Sequence, residues 1–82
     1  MTELLLGGAE VRLNPDGEPA AIRRDGRWLN VIETALVWRV ETDWWRVPVR
    51  RDYFRCLLAG GECVEVFRNL TNGSWHWARR YD

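Results

Sequence analysis

Apolar and polar side chains alternate through the middle of this chain, a pattern typical of strands. Trp38 and Val40 fall on one face, whereas Arg39 and Glu41 fall on the other. A helix over 31–41 is the alternative, because Glu, Ala and Leu favour helices, but Val, Ile, Thr and Trp outnumber them there. Further strand candidates, each rich in β-branched or aromatic residues and bounded by turn residues, are 10–13, 19–24, 27–33, 52–58, 62–68 and 74–81.

Short turn sequences separate these segments. Asn-Pro-Asp-Gly at 14–17 predicts a turn, because Pro presets φ and Gly accepts a positive φ. Asp25 and Gly26 predict a two-residue type I′ hairpin. Residues 33–35 permit a bend between two extended pieces. Residues 43–49 are predicted to be a connection, because Pro48 cannot donate to a sheet ladder.

The C-terminal part of the chain predicts a three-stranded antiparallel meander. A four-residue loop before the last strand would place Val66 opposite Trp77, and a two-residue Gly-Gly turn before the middle strand would place Phe54 opposite Phe67. These pairs favour a continuous sheet of neighbouring strands.

With 82 residues, the chain is expected to form one domain. We expect an all-β fold over 10–82, an antiparallel meander of six or seven short strands that closes into a partly open barrel or bent sheet. Residues 1–9 are expected to be a flexible leader. The chain has six tryptophans. Each ring can bury roughly 200 Å², so we expect most of them in the small core.

Charge and composition narrow the classes of function. All twelve basic residues are arginine, and twelve acidic residues balance them. A neutral chain counts against strong nonspecific nucleic-acid binding, which usually needs a basic excess. No apolar run approaches the roughly 18 residues of a membrane helix, and the start of the chain lacks the basic region of a signal peptide. We therefore expect a cytoplasmic protein without a membrane partner.

No constellation of residues predicts an enzyme, a metal or a cofactor. Cys56, Cys63 and His76 are too few soft ligands for structural zinc. The two cysteines would face each other across a four-residue hairpin loop, but two free thiols are the simpler interpretation. Ser74 and His76 share a face, yet no nucleophile elbow surrounds the serine. A small enzyme is therefore only the third alternative.

Arginines and aromatic rings are concentrated in residues 37–54 and just beyond. Stacked aromatics in a basic groove bind single-stranded nucleic acids, and Trp, Tyr and Arg also dominate protein–protein hot spots. The sequence leaves both interpretations open. The candidate contact surface consists of Trp44, Trp45, Arg46, Arg50, Arg51, Tyr53 and Arg55.

Several motifs give the chain a family resemblance over residues 19–82. They are Trp38-Arg39, Asp43-Trp44-Trp45, Asp52-Tyr53-Phe54 and the turn from Gly73 to Trp75. Together they resemble a small bacterial domain of unknown function, which also forms the C-terminal piece of ImuB-type proteins. Those proteins are Y-family-polymerase-like accessory factors of mutagenic translesion synthesis.

The chain departs from the family pattern near its last turn. Asn69 stands where the family usually has an acid, and Asn72 is an extra residue. The resemblance implies a noncatalytic module that binds replication or repair proteins and serves DNA-damage tolerance. Binding of single-stranded nucleic acid through the Arg and aromatic surface is the alternative function. A homodimer through a sheet edge is also open, because small open sheets leave unpaired backbone groups.

Overall fold

A computed structural model describes residues 2–5, 7–44 and 47–81. Within these residues, seven antiparallel strands form one sheet that curls into a half-barrel, which confirms the expected all-β class. Their order across the sheet is β1-β7-β6-β5-β4-β3-β2. The strands are β1 (Thr2–Leu4), β2 (Val11–Leu13), β3 (Pro19–Arg24), β4 (Arg27–Trp44), β5 (Val47–Leu58), β6 (Cys63–Asn69) and β7 (Trp75–Tyr81).

Three of the predicted turns are confirmed. At 14–17 the Gly17 N–H donates to the Asn14 carbonyl at 2.9 Å. Asp25 and Gly26 have φ values of 51° and 77°, as a type I′ turn requires, and they join β3 to β4. Between β6 and β7, the Asn69 N–H donates to the Ser74 carbonyl at 2.8 Å, which leaves the four-residue loop expected there. Val66 accordingly pairs with Trp77.

The turn between β5 and β6 is longer than predicted. The Leu58 N–H donates to the Glu62 carbonyl at 2.8 Å, so residues 59–61 form a three-residue loop. This shifts the register by one residue from the expected pairing of Phe54 with Phe67. Phe54 lies opposite Val66 instead. A one-residue shift moves side chains to the other face of a sheet.

The same register determines where the two cysteines lie. Cys56 pairs with Val64, while Cys63 pairs with Leu57, so the cysteines project from opposite faces of the sheet. Both are free thiols.

The described residues of the predicted connection 43–49 are strand, whereas residues 45 and 46 lie outside the described part of the chain. Asp43 pairs with Pro48, so the β4–β5 hairpin continues nearly to its tip. The Arg50 carbonyl accepts from the Leu70 N–H at 2.9 Å, on the side of β5 that faces β6. Backbone groups two residues apart in a strand point to the same side, so the missing N–H of Pro48 would point toward the β6 side. The pairing with β6 ends at Arg51, so no ladder hydrogen bond is lost there.

The N-terminal residues also differ from expectation. The flexible leader expected over 1–9 instead contains β1, which pairs with β7 from Thr2 opposite Tyr81 to Leu4 opposite Arg79. The Ala9 N–H then donates to the Trp75 carbonyl at 2.9 Å. Backbone hydrogen bonds to an existing strand hold this segment, although its side chains gave no strand pattern.

Strand β4 is continuous where a helix was the alternative and a bend was expected. Its pairing with β5 skips Ile32 and Ala35, the signature of two β-bulges. Bulges bend and twist a strand locally, so the bend expected at 33–35 occurs without ending the strand.

The core lies on one face of the curled sheet. Its fully or nearly fully buried members are Ile22, Phe54, Cys56, Leu58, Val64 and Val66. Trp75 and Trp77 pack against this cluster, as expected of most tryptophans. Trp28, however, is 37% exposed, and Trp38 lies on the opposite face of the sheet. The core is therefore mainly aliphatic, and part of the aromatic set serves another surface.

Leu58→Ala is expected to lower the free energy of unfolding by about 2–5 kcal/mol, because it leaves a cavity at a fully buried position. Urea denaturation followed by tryptophan fluorescence measures the loss. Leu13→Ala, at a position 44% exposed, is the matched control and should cost less than about 1 kcal/mol. Equal losses for the two variants would contradict the assignment of the core.

Candidate functional site

Four rings form a continuous row across the face opposite the core. This aromatic row takes one residue from each of β4, β5, β6 and β7: Trp38, Tyr53, Phe67 and His76. All four side chains are partly exposed. The register places them side by side, because Trp38 pairs with Tyr53, Tyr53 with Phe67, and Phe67 with His76.

The rings of this row stack on one another. Each neighbouring pair of ring centroids is 5.1 Å apart, close to the spacing of adjacent strands. The planes of Trp38 and Tyr53 differ by 8°, those of Tyr53 and Phe67 by 35°, and those of Phe67 and His76 by 22°. The two inner rings, Tyr53 and Phe67, thus each contact a ring on both sides along the row.

Two arginines of β5 flank the row. The Arg51 guanidinium lies 4.4 Å from the Phe67 ring centroid and donates to the Tyr53 hydroxyl at 3.2 Å. The Arg55 guanidinium lies 4.4 Å from the Tyr81 ring and 5.8 Å from the Trp38 ring. Cation–π contacts of this kind hold a guanidinium against a ring while part of the cation still faces solvent.

A buried carboxylate fixes Arg55. Glu65 is only 3% exposed, and its Oε2 accepts from the Tyr81 hydroxyl at 2.5 Å and from Arg55 at 3.3 Å. Arg55 also donates to the Tyr81 hydroxyl at 3.0 Å, which closes a triangle of hydrogen bonds. Burial alone would lower the pKa of Arg55, but Tyr81 and Glu65 raise it above its ordinary value. The Arg55 guanidinium therefore stays charged, and its hydrogen bonds to Glu65 and Tyr81 position it.

The row and its arginines line an open cleft of about 580 Å³, which we call the aromatic groove. Its wall on the β7 side includes Leu5 and Arg79. The groove is lined by three arginines, Arg51, Arg55 and Arg79, and by one carboxylate, that of Glu65, so it carries a local positive charge although the whole chain is neutral.

Ser74 and His76 contact each other but are not arranged as nucleophile and base. The Ser74 N–H donates to Asn72 Oδ1 at 3.0 Å, which fixes that atom as an acceptor. Ser74 Oγ, 2.6 Å from the same oxygen, must then donate to it. His76 Nε2, 2.7 Å from Ser74 Oγ, is left to donate its own proton. The imidazole cannot accept the serine proton in this arrangement.

The buried thiol is similarly unsuited to nucleophilic chemistry. Burial raises the pKa of Cys56 to about 12, so the thiol stays protonated near neutral pH. Among the described residues, no cluster of three or more His, Cys, Asp or Glu side chains could hold a metal ion.

The structure brings together only part of the predicted contact surface. Arg51, Tyr53 and Arg55 meet in the aromatic groove. Arg50 pairs with Glu41 on the opposite face of the sheet. Trp44 ends β4 opposite Val47, but its side chain lies outside the described part of the structure, and so do Trp45 and Arg46.

Sequence reasoning did not single out Trp38, Phe67, Glu65 or Tyr81 as site residues. The alternation along each strand was visible, and it correctly put Trp38 and Val40 on one face. What was missing was the register between β5 and β6. With the correct loop length, Tyr53 opposite Phe67 would have followed directly from the sequence.

A second charged cluster lies on the other face. Arg39 forms two hydrogen bonds to Asp52, with Nε to Oδ1 at 2.7 Å and Nη2 to Oδ2 at 3.1 Å. It also lies 3.7 Å from Glu41. The hydrogen bonds from Arg39 hold the pKa of Asp52 below its ordinary value of 3.8, although partial burial opposes this.

Comparisons with family models, curated proteins and solved structures find no match in any of the three. Within the described residues, no helix is long and apolar enough to cross a membrane.

Tyr81→Phe is expected to lower the free energy of unfolding by about 1–2 kcal/mol, because the buried Glu65 carboxylate loses a hydrogen bond. Glu65→Gln should cost at least as much, since it leaves Arg55 without its countercharge. A double-mutant cycle in urea should give a coupling of about 0.5–3 kcal/mol between the two changes. Strict additivity would contradict the hydrogen-bonded triangle.

Asp52 is expected to make stability depend on acid pH. Its pKa is lower in the folded chain than the ordinary 3.8, so its contribution is complete above about pH 4 and is lost as the pH falls through the folded pKa. Urea unfolding between about pH 2 and pH 6 should therefore show a shallower acid decline for Asp52→Asn than for the wild type. Parallel curves for the two proteins would refute the link.

Proposed function

We propose that this chain is a noncatalytic protein-interaction module whose contact site is the aromatic groove. The aromatic row carries this proposal. Four partly exposed rings in contact, flanked by two positioned arginines, have the composition of a protein–protein hot spot, in which Trp, Tyr and Arg are enriched.

The chemistry of the groove defines the partner. The partly exposed rings of Tyr53 and Phe67 offer apolar contact area to a partner. Arg51 adds a guanidinium that can take a carboxylate in a planar, two-bonded contact. A partner segment with an apolar or aromatic anchor next to an acidic residue fits both features.

Binding of single-stranded nucleic acid is the second candidate, favoured by the excess of three arginines over one carboxylate in the lining of the groove. Base stacking, however, needs a free aromatic face. Tyr53 and Phe67 already contact a ring on both sides, the Arg51 guanidinium lies over the Phe67 ring, and Arg55 is ion-paired with Glu65. These contacts make the protein partner the better supported of the two.

The resemblance of residues 19–82 suggests where such a partner would be found. We infer that it belongs to the replication or repair proteins and that the module serves DNA-damage tolerance, as a translesion-synthesis accessory. The cytoplasm is the compartment we propose for it, and the two unpaired cysteines are compatible with that location.

Trp38→Ala should abolish or weaken partner binding at least about tenfold, because it removes one end of the aromatic row. The measurement is an affinity pull-down from a bacterial lysate, followed by titration of the purified replication or repair protein that it recovers. Trp28→Ala, a tryptophan outside the groove, is the matched control and should bind normally.

Salt distinguishes the two candidate functions. An oligonucleotide that quenches tryptophan fluorescence at low salt, with an affinity that falls steeply as salt rises, would favour nucleic acid. Retention of no replication or repair protein, or equal losses in Trp28→Ala and Trp38→Ala, would argue against the proposed module.

A further inference from the structure

Strand β4 has a long unpaired edge. Strand β3 pairs with β4 only as far as Asn30, whereas β5 pairs with it from Val31 to Trp44. Within the described residues, no strand pairs with the other side of β4 over 31–44. Long exposed edges invite pairing with another chain, and proteins usually shorten, bulge or charge them.

The two outer edges of the sheet illustrate the contrast. β2 (Val11–Leu13) and β1 (Thr2–Leu4) are short, as blunted edges usually are. The edge of β4 is longer and carries exposed apolar residues. Ile32 is 64% exposed, Leu36 is 46% exposed and Val37 is 48% exposed.

The pairing scheme shows which backbone groups are unpaired. The backbone N–H and C=O groups of the even-numbered residues of β5 point toward β6, as the hydrogen bond from the Leu70 N–H to the Arg50 carbonyl shows. Odd-numbered residues of β5 therefore bond to β4, where they pair with even-numbered residues, as Tyr53 does with Trp38. Beyond the bulge at Ala35, the odd-numbered residues of β4, Val37, Arg39, Glu41 and Asp43, direct their N–H and C=O groups to the open edge.

The bulges limit the part of this edge that can pair regularly. Ile32 and Ala35 are the extra residues, so regular geometry extends over 36–44. The centre of that stretch is Val40. An antiparallel second copy that used the whole stretch would therefore place Val40 opposite Val40.

We propose that two copies of this chain pair antiparallel through the edge of β4, with Val40 on the twofold axis. In this register Arg39 lies opposite Glu41 of the second copy, and their backbones exchange two hydrogen bonds. The twofold axis generates the same pair on its other side. Arg39 already forms an ion pair with Asp52 in its own chain, and Glu41 lies opposite Arg50 in the β4–β5 register. One row of alternating charge then crosses four strands: Asp52, Arg39, Glu41 of the second copy and Arg50 of the second copy.

Charge selects this register over its neighbours. Moving the axis by one residue toward the N-terminus puts Arg39 opposite Arg39, and moving it the other way puts Glu41 opposite Glu41. Like charges directly opposite each other destabilise a strand pair. The geometric centre of the regular edge and the charge pattern therefore give the same pairing independently.

The dimer does not depend on the proposed partner of the aromatic groove. It would, however, join the two grooves on one face of a continuous sheet. Trp38, at the end of the aromatic row, would lie opposite Thr42 of the second copy, so the two rows would run toward each other across the axis.

Analytical ultracentrifugation of the purified chain tests the proposal, and the wild type should sediment as a dimer. Val37→Pro removes an N–H from the open edge and none from the β4–β5 ladder, so it should give a folded monomer by circular dichroism. Glu41→Arg should weaken the dimer at least about tenfold, because it puts two cationic pairs across the axis. Glu33→Arg, the same change outside 36–44, is the matched control and should remain dimeric.

Mixing two variants tests the register itself. Glu41→Arg and Arg39→Glu each bring like charges together in their own homodimers. When the two are mixed, the arginine introduced at position 41 of one chain meets the glutamate introduced at position 39 of the other. The native Arg39 of the first chain likewise meets the native Glu41 of the second, so a heterodimer should form.

The outcomes decide the proposal even where one variant fails. If Arg39→Glu does not fold, Val37→Pro and Glu41→Arg decide the question. A monomeric wild type, or a dimer that Val37→Pro and Glu41→Arg leave intact, would overturn the proposal.

Discussion

The register between β5 and β6 is the constraint on which both faces of this sheet depend. Because residues 59–61 form a three-residue loop, Tyr53 lies opposite Phe67 and Phe54 lies opposite Val66. The first pair continues the aromatic row, and the second belongs to the core. With a loop one residue shorter, the side chains of β6 would move to the other face relative to those of β5. The length of this one turn therefore decides which side chains of β6 join the aromatic row and which join the core.

The buried carboxylate shows how this register builds the proposed contact surface. Glu65 is on the same face as Phe67, where it would cost free energy to bury without partners. Arg55 and Tyr81 supply them from the strands on each side. The result is a guanidinium that is fixed in position and still lines the groove. A rigid cation beside rigid rings loses little side-chain entropy on binding, which is what a contact site needs.

The sequence was a good guide to strands and to turns with special backbone angles. Asp25 and Gly26 require positive φ, and alternation assigned Trp38 and Val40 to one face. It was a poor guide wherever the outcome depends on pairing between segments. The length of the Gly-Gly turn, the capture of residues 2–4 by β7 and the continuation of β4 to Trp44 are set by backbone hydrogen bonds, which leave little trace in side chains.

Strand β4 contributes to both the aromatic groove and the open edge of the sheet. Trp38 ends the aromatic row through its side chain, while Val37 and Arg39 offer backbone groups to the open edge. A strand added to that edge would lie about 4.8 Å from Trp38, which is the spacing at which the rings of the row already stack. Occupation of the edge therefore changes what can reach the outer face of Trp38. The proposed edge pairing would therefore affect the proposed groove binding through Trp38, although the two use different atoms of the same strand.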